Sequence, residues 1–275
     1  MTATVAPVLT SAAFGPGNGL RVSQSRVVLS EWTKFRSLRS TVYTLLVAVV
    51  LMIGLGAMFA AITASQTTGF GPGTNATSTS LTGTFFAQLA IGVLGVLLIS
   101  GEYSTGTIRA SLTVVPRRLP MFIAKLAVFA GAVFLITLIA SFTSFFVGQS
   151  LLSGENLNVS LTEPGALRSV FGAALYLTVA GMTGLALGAL LRNTAAAITI
   201  FVAVYFVIPP MTNLLPTSWT DHFVQYLPSN AGAMMLDGTY GVVNPLTPWT
   251  GFGVMTACAI VLIAFAAWRL RRVDA

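Results

Sequence analysis

The chain holds few side chains able to make or break a bond. Its single cysteine, Cys258, lies inside an apolar run, so no intramolecular disulfide or cysteine-based metal site can form, and the thiol reads as a small core residue. Its single histidine, His222, lacks the acid or second histidine at the spacing of a metal site. The lysines are Lys34 and Lys125, followed by Phe35 and Leu126, so the phosphate loop G-x-x-x-x-G-K-[ST] is absent. No apolar run carries a carboxylate pair or a Ser–Lys dyad near its middle, which argues against intramembrane hydrolysis and proton-driven carriage. The expectation is a chain that is not an enzyme, with no catalytic, cofactor-binding or metal-ligating residues of its own.

What stands out instead is chemistry suited to docking. The segment Gly101 to Arg118 (GEYSTGTIRASLTVVPRR) offers Ser104 or Thr105 as a helix cap and Pro116 as a stop. Between them Ile108, Leu112 and Val115 repeat at i, i+4 and i+7, giving a short helix with an apolar face framed by Glu102, Arg109, Arg117 and Arg118. A loop that merely reversed the chain would need only a few polar residues. Such a helix either seats in a partner or lies on the membrane surface, which its arginines also favour. Upstream, Val28, Trp32 and Phe35 share one helical face with Arg26 and Arg36 placed away from it, although Arg39 drifts onto the stripe. This suits an amphipathic helix in the membrane interface; a merely basic flank is the rival reading.

These segments are joined by elements of a different composition. Only 8% of the 275 residues are charged, 55% are hydrophobic, and the mean hydropathy is +0.85. A soluble domain would carry roughly 25% charge. Apolar runs fall at about 42–62, 81–100, 121–147, 170–191, 195–215 and 251–268, each near the ~20 residues that cross a bilayer. Open strands would leave backbone groups unpaired in lipid, so the expected fold is an all-α membrane protein of six transmembrane helices. Placing alternate connections on alternate sides puts 13 of the 14 basic residues on one side and Arg168 alone on the other. The positive-inside rule then makes both termini cytoplasmic, and the net charge of +7 marks topology rather than nucleic-acid binding. The domain plan is a disordered tail over 1–23, an interfacial helix over 24–40, a six-span domain over 41–268 and a basic cytoplasmic tail over 269–275.

Three further features carry structural expectations. Gly181, Gly184 and Gly188 give the fourth run a small-residue face that packs closely within the subunit or against a second copy. Pro209-Pro210 should kink or end the fifth helix. Residues 65–80 read as an uncharged, flexible connector, whereas 216–249 mixes aromatics and prolines in the manner of short helices dipping into the outer leaflet.

Ser30 to Ser40 (SEWTKFRSLRS) resembles the N-terminal element of actinobacterial ABC-2 type transporter permeases. Gly101 to Arg109 (GEYSTGTIR) with Pro116-Arg117-Arg118 resembles their loop between spans two and three. The resemblance runs from about Gln24 through nearly all the chain. It implies a transmembrane subunit of an exporter in the bacterial plasma membrane, paired with a second permease subunit. Separate ATPase subunits would bind ATP and Mg. It further implies that Glu102, Thr105, Gly106, Thr107, Ile108, Arg109, Leu112, Pro116, Arg117 and Arg118 form the ATPase-coupling element, with Glu102 bracing an arginine. Two rival classes remain, an ion-coupled secondary carrier and a membrane assembly protein without transport. Co-purification with a nucleotide-binding subunit and vanadate-sensitive flux separate the three. Spans without central charge favour a lipophilic or amphipathic cargo.

Overall fold

The computed structural model describes residues 24–66, 75–104, 118–214, 223–236 and 245–272. Six helices among them are long and apolar enough to cross a membrane. A preceding helix, α1 (Gln24–Ser37), breaks at Leu38, whose extended backbone starts the first span, α2 (Arg39–Ser65). A short helix, α3 (Ala76–Ser80), leads into the second span, α4 (Thr84–Ser104). The third span, α5 (Arg118–Leu152), has 35 residues and is roughly 50 Å long at 1.5 Å per residue, well beyond a hydrocarbon core of ~30 Å. The fourth is α6 (Ala166–Leu191). The fifth comprises α7 (Thr194–Val202), a π-helical stretch (Ala203–Val207) and α8 (Ile208–Met211). After the short α9 (Pro228–Ala233), the sixth span is α10 (Pro248–Arg272).

The fourth span forms the centre of the bundle. Within its most apolar window 78% of residues are buried, against 28%, 17% and 22% for the first, fifth and sixth spans, which leave most of their apolar side chains facing outward. Its glycines explain this. A Cβ on Gly184 would run into the backbone of Gly92, one on Gly188 would meet Val96 and Ile99, and one on Gly181 would meet Phe129 and Ile91. Reciprocally, a Cβ on Gly95 would strike the Gly181 carbonyl. In lipid, helix association depends on such close approach because apolar burial gives no net drive. Of the two roles open to these glycines, the structure shows packing of the second and third spans on the fourth within one chain.

One expectation about an outer connection changes. Within 65–80, residues 76–80 form a buried helix rather than a flexible connector. Asn75 caps it, accepting from the Ser78 amide at 2.8 Å, and Ser78 Oγ in turn accepts from the Asn75 amide at 2.9 Å. The composition concealed this, because serine and threonine favour loops until other elements satisfy their hydroxyls. At Pro209-Pro210 the fifth helix is irregular and near its end, in keeping with expectation. The fifth helix continues through Pro209-Pro210 to Met211, and the irregularity falls before them at Ala203–Val207. Lacking an N–H, Pro209 leaves the Tyr205 carbonyl without its usual donor. Gln88 Nε2 donates to that carbonyl at 3.4 Å, while Gln88 Oε1 accepts from the Tyr176 hydroxyl. Tyr205 itself donates to Thr183 at 3.1 Å.

The third span, expected over 121–147, runs from Arg118 to Leu152. Residues 269–272 continue the sixth span as its last turn. Residues 228–236, in the aromatic stretch, form short helical turns with Ala231, Gly232, Met234, Met235 and Leu236 buried. Residues 1–23, the expected tail, lie outside the described residues, as do 216–222 and 237–244.

Candidate functional site

At one end of the bundle, α1 lies against the start of the third span. Val27, Glu31 and Phe35, at i, i+4 and i+8, form its buried face. Phe35 packs edge-on against Phe129 with ring centroids 6.4 Å apart. Of the expected stripe, Phe35 is therefore buried, Val28 is half-buried, and Trp32 is 44% exposed while stacking on Phe35. The face is turned from the expected one because an apolar count passes over Glu31, whose charge is compensated on burial.

The compensation comes from Lys125. Its Nζ donates to Glu31 Oε2 at 2.6 Å and to Glu102 Oε1 at 2.9 Å, and the Lys125 and Glu31 side chains are each only 3% exposed. Lys34 adds a second link, 2.9 Å from Glu31 and 3.8 Å from Glu102. Burial alone would raise the Glu31 carboxyl, but the Lys125 and Lys34 ammonium groups more than offset this and hold it below its ordinary value. Burial would likewise lower Lys34; the hydrogen bond and charge of Glu31, with Glu102, keep it above its ordinary value.

Position gives this cluster its meaning. Glu102 is in the last turn of the second span and Lys125 is in the second turn of the third, so they bracket the connection between the spans. One lysine thus clamps both shoulders of that connection to α1. The other helix ends on this face are tied in as well. The Arg192 guanidinium sits 5.2 Å from the Tyr103 ring centre, Thr194 donates to Ser100 at 2.9 Å, and Arg269 donates to the Leu190 carbonyl. The described chain ends, near Gln24 and Arg272, therefore lie on the same face of the bundle. The cluster joins the end of the second span and the start of the third to α1 through ion pairs.

Among the expected coupling residues, Glu102 belongs to the cluster. It was expected to brace an arginine, and among the described residues it meets Lys125 and Lys34. Arg118 begins the third-span helix. Thr105, Gly106, Thr107, Ile108, Arg109, Leu112, Pro116 and Arg117 lie outside the described residues. Sequence reasoning missed Glu31 and Lys125 as a pair. The signal was present: an acid inside an apolar stripe and a lone lysine one turn into an apolar run both need a partner of opposite sign.

The helices and the site define a multi-pass α-helical membrane protein. A family model described as "ABC-2 family transporter protein" matches residues 27–209, from within α1 to the first of the paired prolines. The chain belongs to the ABC-2 transporter family and is a membrane transport component. No curated protein matches it.

Proposed function

We propose that this chain is the transmembrane permease subunit of an ABC-2 exporter in the bacterial plasma membrane. A second permease subunit, identical or related, completes the channel, and separate ATPase subunits bind ATP and Mg. The face bearing Glu31, Glu102 and Lys125 is cytoplasmic, since 13 of the 14 basic residues fall on connections of that side. The connection over 105–117, with its Ile108, Leu112 and Val115 face, docks on the ATPase. The cargo is lipophilic or amphipathic, in keeping with spans that lack a central charge.

The observation that carries this reading is the clamp of Lys125 on Glu31 and Glu102. A motor below the membrane needs a rigid path from its docking element to the spans, and two-state movement requires links that break and re-form as units. Here the path runs from the connection through Glu102 and Lys125 into α1 and so to the first span. The test is co-expression with the partner ATPase and reconstitution in vesicles. Glu102→Lys and Arg109→Glu should each lower ATPase co-purification and cargo-stimulated hydrolysis while leaving membrane insertion intact. Normal coupling in both variants would remove the role.

A further inference from the structure

The sixth span turns one continuous face away from the bundle. Val261, Phe265, Trp268 and Arg272, at i, i+4, i+7 and i+11, are all exposed, with Arg271 beside them. Exposed tryptophans stand near both ends of this helix, Trp249 and Trp268. The nineteen positions between them rise roughly 28 Å, close to a hydrocarbon core of ~30 Å, so Arg271 and Arg272 emerge at headgroup level. Phe265 and Trp268 stack with ring centroids 5.4 Å apart, and the Arg272 guanidinium lies 5.0 Å from the Trp268 ring centre. We propose that this face holds an anionic phospholipid, its phosphate on Arg271 and Arg272 and an acyl chain along Trp268, Phe265 and Val261.

The positive charge at this level is spare. No acid among the described residues forms an ion pair with Arg271 or Arg272, whereas Lys34 and Lys125 are taken up by Glu31 and Glu102. From Arg269 onward the sequence sets three arginines against one acid, Asp274, and Arg269 donates to the neutral carbonyl of Leu190. The carbonyl end of a helix carries only about half a negative charge, which the arginines exceed. Stacking on Trp268 occupies a face of the Arg272 guanidinium and leaves its in-plane N–H groups to grip two phosphate oxygens. The apolar strip selects the rest of the ligand, because a freely soluble anion has no use for Phe265 and Val261, which are 51% and 66% exposed. A second copy of the chain fits this face poorly. It would sit in the membrane in the same orientation, so a symmetric contact would set Arg271 and Arg272 against their own counterparts. The inference does not depend on the transport reading, since it uses only this face and its level in the bilayer.

Native mass spectrometry of the full chain in mild detergent, titrated with phosphatidylglycerol or phosphatidylcholine, tests it. Phosphatidylglycerol should be retained more tightly than phosphatidylcholine. Arg271→Gln and Arg272→Gln should each weaken phosphatidylglycerol about fivefold, the factor for one basic residue at an anionic surface, and leave phosphatidylcholine unchanged. Trp268→Leu keeps an apolar side chain but removes the platform under Arg272, so it should weaken phosphatidylglycerol more than phosphatidylcholine. Equal retention of the two lipids by the native chain would overturn the proposal, as would normal phosphatidylglycerol binding by a chain carrying both arginine substitutions. Displacement of the lipid by millimolar inorganic phosphate would also overturn it, assigning the arginines to a free anion. So would rapid disulfide-linked dimerisation in vesicles of Ala264→Cys, an exposed position on the same helix, in a Cys258→Ala background, which would give the face to a second copy.

Discussion

The third span carries a buried polar cluster at each end, and the two are built from opposite chemistry. At the Lys125 end, full charges link side chains on three helices, with contacts of 2.6 and 2.9 Å. At the other end, neutral groups bond mostly to backbone. Ser144 donates to the Ser80 carbonyl at 2.7 Å and the Met52 carbonyl at 3.1 Å. Gln149 donates to the Ala76 carbonyl at 3.1 Å and accepts from the Val159 amide at 2.7 Å. A neutral hydrogen bond to backbone fixes a helix against its neighbour and has few alternative partners. Charged side chains on long stems can exchange partners, and Lys34 already offers a second cation beside the same carboxylates. The charged end thus joins side chains of three helices, whereas the neutral end ties side chains to backbone.

The strongest way to break that contrast is Lys125→Met. It leaves Glu31 and Glu102 buried without their principal cation, and removing one partner of a buried pair costs about 3–5 kcal/mol. Protease protection of α1 should be lost and denaturant resistance in detergent should fall. If α1 stays protected, the clamp is not what holds it. Gln149→Leu should cost less, about 1–3 kcal/mol, because it strands neutral groups rather than charges. Its effect should show as faster hydrogen exchange at residues 76–80 with α1 unaffected. Ser144→Ala is expected to cost about 1 kcal/mol, the net worth of one neutral hydrogen bond, read as a small shift of the same unfolding curve.

The gentlest probe is pH, to which only the charged end should respond. Glu31 is held below its ordinary value of 4.5, so its contribution is present above that pH and is lost as pH falls through its lower folded value. Lys34 is held above 10.5, so its contribution is intact below that pH and is lost as pH rises through its higher folded value. Hydrogen exchange in α1, corrected for its intrinsic pH dependence, should therefore rise at both extremes. A matching change near residues 76–80 would show that the two ends are not independent.

Much of this architecture was legible in the residues. Bilayer thickness sets span length, and water alone tolerates many charges, so the six spans follow from composition and run length. Other elements were hidden for specific reasons. Residues 76–80 look like a linker because serine and threonine are apolar enough to bury only when Gln149 and Ser144 satisfy them and the carbonyls beside them. The irregular turn at Ala203–Val207 looks ordinary because its support, Gln88, comes from another span. The buried face of α1 was misread by one position because Glu31 counts as polar until Lys125 is seen beside it.

The division follows the range of the forces involved. Hydropathy acts on each segment against its solvent, so the sequence by itself determined the six spans. Pair compensation acts between side chains 94 and 23 residues apart. Only the tertiary structure could decide that Lys125 neutralises both Glu31 and Glu102, and that the fourth-span glycines face the second and third spans of the same chain. A buried charge or a missing Cβ states a need, and only packing shows which neighbour meets it.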